Sequence, residues 1–195
     1  FLSTTSGAAG ALAIVGIPRS GRTSLANIVA REMLGARTVL RIRAPAGGTS
    51  STEKLNEAVV KAAGARPGQG AEGALRALAP GAVVVVDELA RWVERSAGGL
   101  SALQLWLRLF RRLGDRHLFV ATSTPWVWDY ADALTGASHS FLGVAESSPL
   151  SKDDLLEAIG IRQRTTEFNL VLSGPRRRLW HSAEREHIGR LFDRA

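Results

Sequence analysis

The sequence contains no cysteine. That excludes disulfides and thiolate metal centres, and it fits a reducing, cytoplasmic setting. Lysine is scarce. Lys54, Lys61 and Lys152 are the only three in a chain with 25 basic residues, so the rest of that set is arginine. No apolar run approaches the ~20 residues of a membrane-spanning helix, so no membrane contact is expected from this segment. Phe1 to Ala13 lacks the basic start of a secretion signal. The chain begins without methionine and is expected to be a piece of a longer protein. No internal repeat or low-complexity stretch is visible. His117, His139, His181 and His187 have no metal-ligand spacing.

What is present is an ordinary globular composition, with 45% hydrophobic and 22% charged residues over 195 positions. That length suits one domain with a full core. The net charge of +7 admits a nucleic-acid partner. The arginines are spread along the chain, however, which favours compositional bias over a binding patch.

The chain is organised around Gly16-Ile17-Pro18-Arg19-Ser20-Gly21-Arg22-Thr23-Ser24. An apolar run, Ala11 to Val15, precedes it, and a helical pattern from Leu25 to Leu34 follows. A buried strand, a glycine-bracketed loop and a helix start form the context of a phosphate-binding loop. Gly16 and Gly21 permit backbone angles that let amide groups turn inward on an anion. The first helical turn adds unpaired N–H groups and a partial positive charge. Thr23 sits where a hydroxyl reaches a magnesium ion. Arg22 stands where the motif has lysine, replacing a compact point charge with a planar fork.

Further along, Thr38 to Ile42 reads as a strand, and Ala44 to Ser51 as a loop. Thr52 to Ala63 reads as a helix with Leu55 and Val59 on one face. A short helix from Ala71 to Leu78 stops at Pro80-Gly81. Val83 to Val86 is an apolar run without alternation, so it predicts a strand buried on both faces. It ends at Asp87 and Glu88, and carboxylates at the end of a buried strand need a partner or a role. Asp87, 64 residues after Thr23, is the candidate magnesium acid, and Glu88 the candidate base for an attacking water. The plainer alternative is a strand leading into a helix capped by Asp87.

Leu100 to Leu113 predicts a helix that buries Leu103, Trp106, Leu107 and Phe110 and exposes Arg108, Arg111 and Arg112. His117 to Ala121 predicts a strand ending at Thr122-Ser123-Thr124. Pro125 opens a helix to Leu134, and its aromatics Trp126, Trp128 and Tyr130 suit either core or a partner surface. Ser140 to Val144 is a fifth strand candidate. Ser151 to Ile159 is a helix with a Ser151/Asp154 capping box. Phe168 to Leu172 and a helix from Ser182 to Phe192 complete the set, with Arg176-Arg177-Arg178 between them. Strands alternate with helices, so the sheet is expected to be parallel, with helices on both faces and the ligand at the strand carboxyl ends.

On these residues the chain resembles the AAA+ ATPases and their STAND-type relatives among P-loop NTPases. Gly16, Pro18, Gly21 and Thr23 match the AAA+ loop Gly-Pro-Pro-Gly-Thr-Gly-Lys-Thr, and Asp87-Glu88 matches its Walker B acids. Thr122 or Ser123 falls where a polar sensor 1 residue watches the γ-phosphate. Pro149-Leu150-Ser151 with Asp153-Asp154-Leu155 looks like the entry to the lid. The resemblance covers about residues 11 to 160 and implies an α/β, three-layer fold with a mainly parallel five-stranded sheet of order 5-1-4-3-2. It divides the chain into a nucleotide-binding core over 1–160 and the start of a helical lid or linker over 161–195. It also implies an ATP or ADP site with Mg2+. Gly16, Pro18, Arg19, Ser20, Gly21, Arg22, Thr23 and Ser24 would hold the nucleotide, Thr23 and Asp87 the metal. Glu88, Thr122 and Ser123 would be catalytic.

Three features depart from the family. Arg22 replaces lysine, Pro125 to Gly136 carries no arginine finger, and the chain stops at Ala195 before most of a lid. Two functions are therefore expected in competition. One is a weak ATPase that drives nucleotide-dependent assembly or switching of a larger protein, as a homo-oligomer. The other is a non-hydrolysing nucleotide-binding scaffold, which includes a DNA-associated oligomer.

Overall fold

The apolar runs become five strands, all parallel: β1 (Gly10–Gly16), β2 (Val39–Arg43), β3 (Val83–Asp87), β4 (Leu118–Ser123) and β5 (Gly143–Ser147). Their spatial order is β2-β3-β4-β1-β5, which is the 5-1-4-3-2 arrangement read from the other edge. The computed structural model describes residues 10–32, 38–44, 51–94 and 98–149, with scattered positions from 151 to 161. The chain divides into two units, Phe1–Ser148 and Pro149–Ala195. The expected elements over 168–172 and 182–192, Arg176 to Arg178, most of the loop over 44–51, and His181 and His187 lie outside the described residues.

Five helices cover the sheet: α1 (Arg22–Glu32), α2 (Thr52–Ala62), α3 (Gly70–Arg76), α4 (Ser101–Leu113) and α5 (Pro125–Thr135). Side chains on a strand alternate between faces, so the valines of β3 serve both. Val83 and Val85 join Ile14, Leu118 and Val120 against Ala26 and Ala30 of α1. Val84 and Val86 join Phe119 and Ala121 against Leu55 and Val59 of α2 and Leu103 and Phe110 of α4. All four valines are buried, as a doubly covered parallel strand requires. The two alanines of α1 let that helix lie close to the sheet and place its N-terminus at the carboxyl end of β1.

On the other face, a run of ring contacts links Trp92, Trp106, Phe110, Phe141 and Trp128, with centroid separations of 5.1–6.1 Å. Trp92 belongs to a 3₁₀ turn, Leu89–Trp92, that follows the acid pair, so the chain leaves β3 through a buried turn rather than a capped α-helix. The aromatics of α5 divide: Trp128 packs on Phe141, while Trp126 and Tyr130 are exposed. The fifth strand starts at Gly143, later than the apolar stretch Ser140 to Val144 predicts. Phe141 is taken by the core between Phe110 and Trp128, and residues 137–140 form a 3₁₀ turn. The ladder therefore begins after it. The predicted capping box also forms: Ser151 Oγ accepts the Asp154 N–H at 3.1 Å, and the Asp154 carboxylate accepts the Ser151 N–H at 3.3 Å. Among the described residues no helix is long and apolar enough to cross a membrane.

His117, just before β4, is fully buried, and its Nε2 lies 3.0 Å from the Leu75 carbonyl, so the proton is on Nε2. Burial holds its pKa below the usual 6.5, although the bond to Leu75 acts in the opposite direction. A depressed histidine pKa favours the neutral folded form, so its contribution is present above the unfolded pKa and is lost as pH falls. Urea unfolding is expected to show stability declining as pH drops below the ordinary histidine value of 6.5, and His117→Gln should flatten that decline. An equally steep decline in the variant would assign the effect to other groups.

Candidate nucleotide site

The loop between β1 and α1 is built from three backbone requirements. Gly16 ends β1 opposite Ser147 of β5. A Cβ there would stand 2.4 Å from the Ser147 carbonyl oxygen and 2.6 Å from Ser20 Oγ, so glycine is needed for close approach rather than for a special angle. Arg19 and Gly21 take left-handed backbone, with φ of 68° and 82°. The sequence marks the second of these with glycine but not the first. Ser147 Oγ donates to the Ser20 carbonyl at 2.7 Å and ties the loop to the sheet edge. Ile17, Pro18, Arg19, Gly21 and Ser24 face solvent, whereas Ser20 and Arg22 are buried.

Two polar atoms at this loop are hidden without a partner among the described residues: Ser20 Oγ and Nη1 of Arg22. A guanidinium nitrogen removed from water and left unpaired is unfavourable, and an anion in the loop would relieve it. The α1 helix starts at Arg22 itself, so its unpaired N–H groups open toward the same place. The residues present thus fit a phosphate.

The acids lie at the carboxyl end of β3, and their neighbours come from three other elements. Asp87 Oδ1 accepts the hydroxyls of Thr23, from α1, and of Thr122, from β4, each at 3.0 Å. Asp87 Oδ2 faces Nε of Arg43, at the end of β2, at 3.4 Å. Thr122 Oγ1 in turn accepts the Glu88 N–H at 2.8 Å. Glu88 is left-handed, with φ 58° and ψ 66°, and its carboxylate forms an ion pair with Arg91 one turn on. Ser123 is buried, and its hydroxyl donates to the Thr124 carbonyl at 3.3 Å. A cleft of about 300 Å³ is lined by Thr23, Arg43, Ala44, Asp87, Glu88 and Arg91.

The five parallel strands, the glycine-bracketed loop before α1 and the acid pair at the end of β3 stand in the order of a known ATPase core. The chain has the AAA+ P-loop ATPase fold. It is similar to the Aeropyrum pernix ORC2 protein, solved with ADPNP and ADP, at a TM-score of 0.60 and 17% identity over 81% of this chain and 46% of that one. The A. pernix ORC1 protein in complex with DNA gives 0.58 and 19% over 80% and 44%, and the FIGL-1 AAA domain in complex with ADP gives 0.57 and 19% over 94% and 55%. The chain thus spans about half the length of each of these proteins. No family model and no curated protein matches it.

Within this AAA+ fold, Thr23, Asp87, Glu88 and Thr122 come together, and Gly16 to Ser24 form the adjoining loop and first turn of α1. Arg43 and Arg91 also line the cleft. Sequence reasoning did not single them out, although Arg43 ends a parallel strand and Arg91 lies one turn after Glu88. Two other arginines, Arg112 and Arg116, lie away from this cleft. Arg112 pairs with Glu72, and Arg116 donates to the Leu78 carbonyl, near the amino ends of β3 and β4. They cannot reach their own chain's acids. Among the described residues no three His, Asp or Glu side chains gather as a metal set, so a magnesium ion here would rest on Thr23 and Asp87.

The two glycines should respond differently to alanine. At Gly21 nothing lies within 4 Å of an added Cβ, so only the left-handed angle resists, at about 1 kcal/mol. At Gly16 the added Cβ meets backbone and must displace β5, so Gly16→Ala is expected to lower the melting temperature clearly more than Gly21→Ala. Equal melting temperatures would show that the loop does not approach Ser147 as described.

Proposed function

We propose that the chain is an ATP- and ADP-binding AAA+-type module that uses Mg2+ and hydrolyses ATP slowly. In this reading it drives nucleotide-dependent assembly or switching of a larger protein. The observation that carries the reading is the buried, unpartnered Arg22 nitrogen at the loop, a few residues from the hydrogen-bonded Thr23–Asp87–Thr122 set. A cation lacking an anion and a carboxylate ordered by two hydroxyls are what a metal–nucleotide complex would engage.

In that reading the amides from Gly16 to Ser24 bind phosphate, and Arg22 neutralises it from beneath the loop. Thr23 and Asp87 hold the metal, which when bound supplies charge neutralisation at the β- and γ-phosphates. Glu88 orients and deprotonates water. Arg91 holds the Glu88 carboxylate, so the base must leave that ion pair before it can act. The arginine in place of lysine and the absence of any lysine or arginine from His117 to Ser151 both support slow turnover. They also support the second reading, a nucleotide-binding scaffold that does not hydrolyse. Self-association is part of both readings, and the DNA bound by the ORC1 protein makes nucleic acid a partner to test.

Calorimetric titration with ATP, with and without Mg2+, and phosphate release test this directly. Thr23→Ala should weaken Mg–ATP binding several-fold and leave metal-free binding nearly unchanged. Glu88→Gln should keep binding and lower turnover by ~100-fold, the scale of lost general-base assistance. Arg22→Lys should leave turnover equal or higher. No binding by the native protein would overturn the nucleotide reading, and binding without turnover in both native and Arg22→Lys proteins would select the scaffold. Light scattering of the full-length protein with and without ATP checks assembly; a monomer in both conditions at high concentration would remove it.

A further inference from the structure

We infer that Thr122 is a positioning residue that holds the Asp87–Glu88 turn in its working shape, and that it does not touch nucleotide. The inference rests on the nucleotide reading of the site. A threonine hydroxyl has one proton to donate, and here it goes to Asp87 Oδ1 at 3.0 Å. Phosphate oxygens are acceptors, so a hydroxyl whose proton is committed to a carboxylate has nothing to offer them. The oxygen side of the same hydroxyl receives the Glu88 N–H at 2.8 Å. Thr122 is 1% exposed and sits in the middle of the sheet, paired with Ile14 of β1, so it cannot swing toward the cleft without breaking both bonds.

Glu88 is what the second bond holds. Its left-handed backbone is disfavoured for any residue with a Cβ, and such a conformation persists only where surroundings impose it. Two restraints do so. Leu89 and Trp92 of the following turn are buried, which fixes where the chain goes after Glu88, and Thr122 fixes where the Glu88 amide points. The result turns Glu88 out of the strand direction and leaves its side chain 43% exposed at the cleft beside Arg91, instead of buried along β3. Asp87 and Glu88 are adjacent in sequence and would otherwise point to opposite faces. The Thr122 hydroxyl bonds the Asp87 carboxylate and the Glu88 backbone N–H, so it couples the metal acid to the backbone that aims the base.

Thr122→Val keeps the shape and removes the hydroxyl; Thr122→Ser keeps the hydroxyl. In the full protein, Thr122→Val is expected to bind metal-free ATP within about 2-fold of native and to bind Mn2+, used as the probe for Mg2+ in the ATP complex, about 5- to 10-fold more weakly. Where turnover is measurable, kcat should fall about 10-fold or more with KM within about 3-fold, the pattern of a lost transition-state arrangement. Thr122→Ser should restore all three. Loss of metal-free ATP affinity, or a rise in KM at constant kcat, would mean that Thr122 contacts nucleotide and would overturn the inference, as would native Mn2+ affinity in Thr122→Val. If the native protein binds no ATP, the nucleotide reading itself fails and this inference fails with it. If Thr122→Val does not fold, amide hydrogen exchange on the native protein decides: the Glu88 N–H is expected to be protected, and rapid exchange there overturns the inference.

Discussion

One oxygen atom joins the elements that make this site. Asp87 Oδ1 accepts a hydroxyl from Thr23, on the helix that follows the loop, and a hydroxyl from Thr122, on the adjacent strand. Each bond is charge-assisted, and the pair spans segments far apart in the chain. β3 and β4 are already joined by their ladder, but without this oxygen the N-terminus of α1 meets their carboxyl ends through apolar packing, which is non-directional and sets distances more firmly than orientations.

The apolar packing supplies what that oxygen needs. Ala26 and Ala30 let α1 lie against Ile14, Val85 and Val120, so Thr23 arrives within reach of the end of β3. The parallel register places Arg43 opposite Asp87 on one side. Residues across neighbouring strands in register share a face, so Arg43, Asp87, Thr122 and Ile14 form one row beneath α1. Apart from Arg41 of β2, the polar residues of the strands stand at or next to their carboxyl ends, which confines the candidate site to one rim of the sheet. The opposite rim, where Arg112 and Arg116 are bonded, carries none of the site residues.

Charge balance in the cleft is set locally. Arg43 and Arg91 neutralise Asp87 and Glu88, while Arg22 is buried at the loop with an unpartnered nitrogen. The Arg43 and Arg91 side chains are more than half exposed, so these ion pairs are screened and weak. They can give way to a stronger cation or to water at little cost. The Arg22 nitrogen is shielded, so its demand for an anion is the stronger force in the site. In the proposed reading, binding centres on the loop and control of the acids on the cleft.

The amino-acid sequence by itself determined the strand–loop–helix of Gly16 to Ser24, the buried valine strand and its terminal acids, the apolar face of α4, and the capping box at Ser151. These follow from periodicity, turn residues and local hydrogen-bonding chemistry, all of which act within a few residues. Tertiary structure alone decided that Thr122 bonds the Asp87 carboxylate and the Glu88 backbone N–H, that Arg43 and Arg91 line the cleft, that Gly16 is needed for contact with Ser147, and that Phe141 joins the core and delays β5. It also decided that Arg19 and Glu88 take left-handed backbone without glycine. Each depends on a register or a packing contact between residues distant in the chain, and no short-range pattern encodes which distant groups will meet.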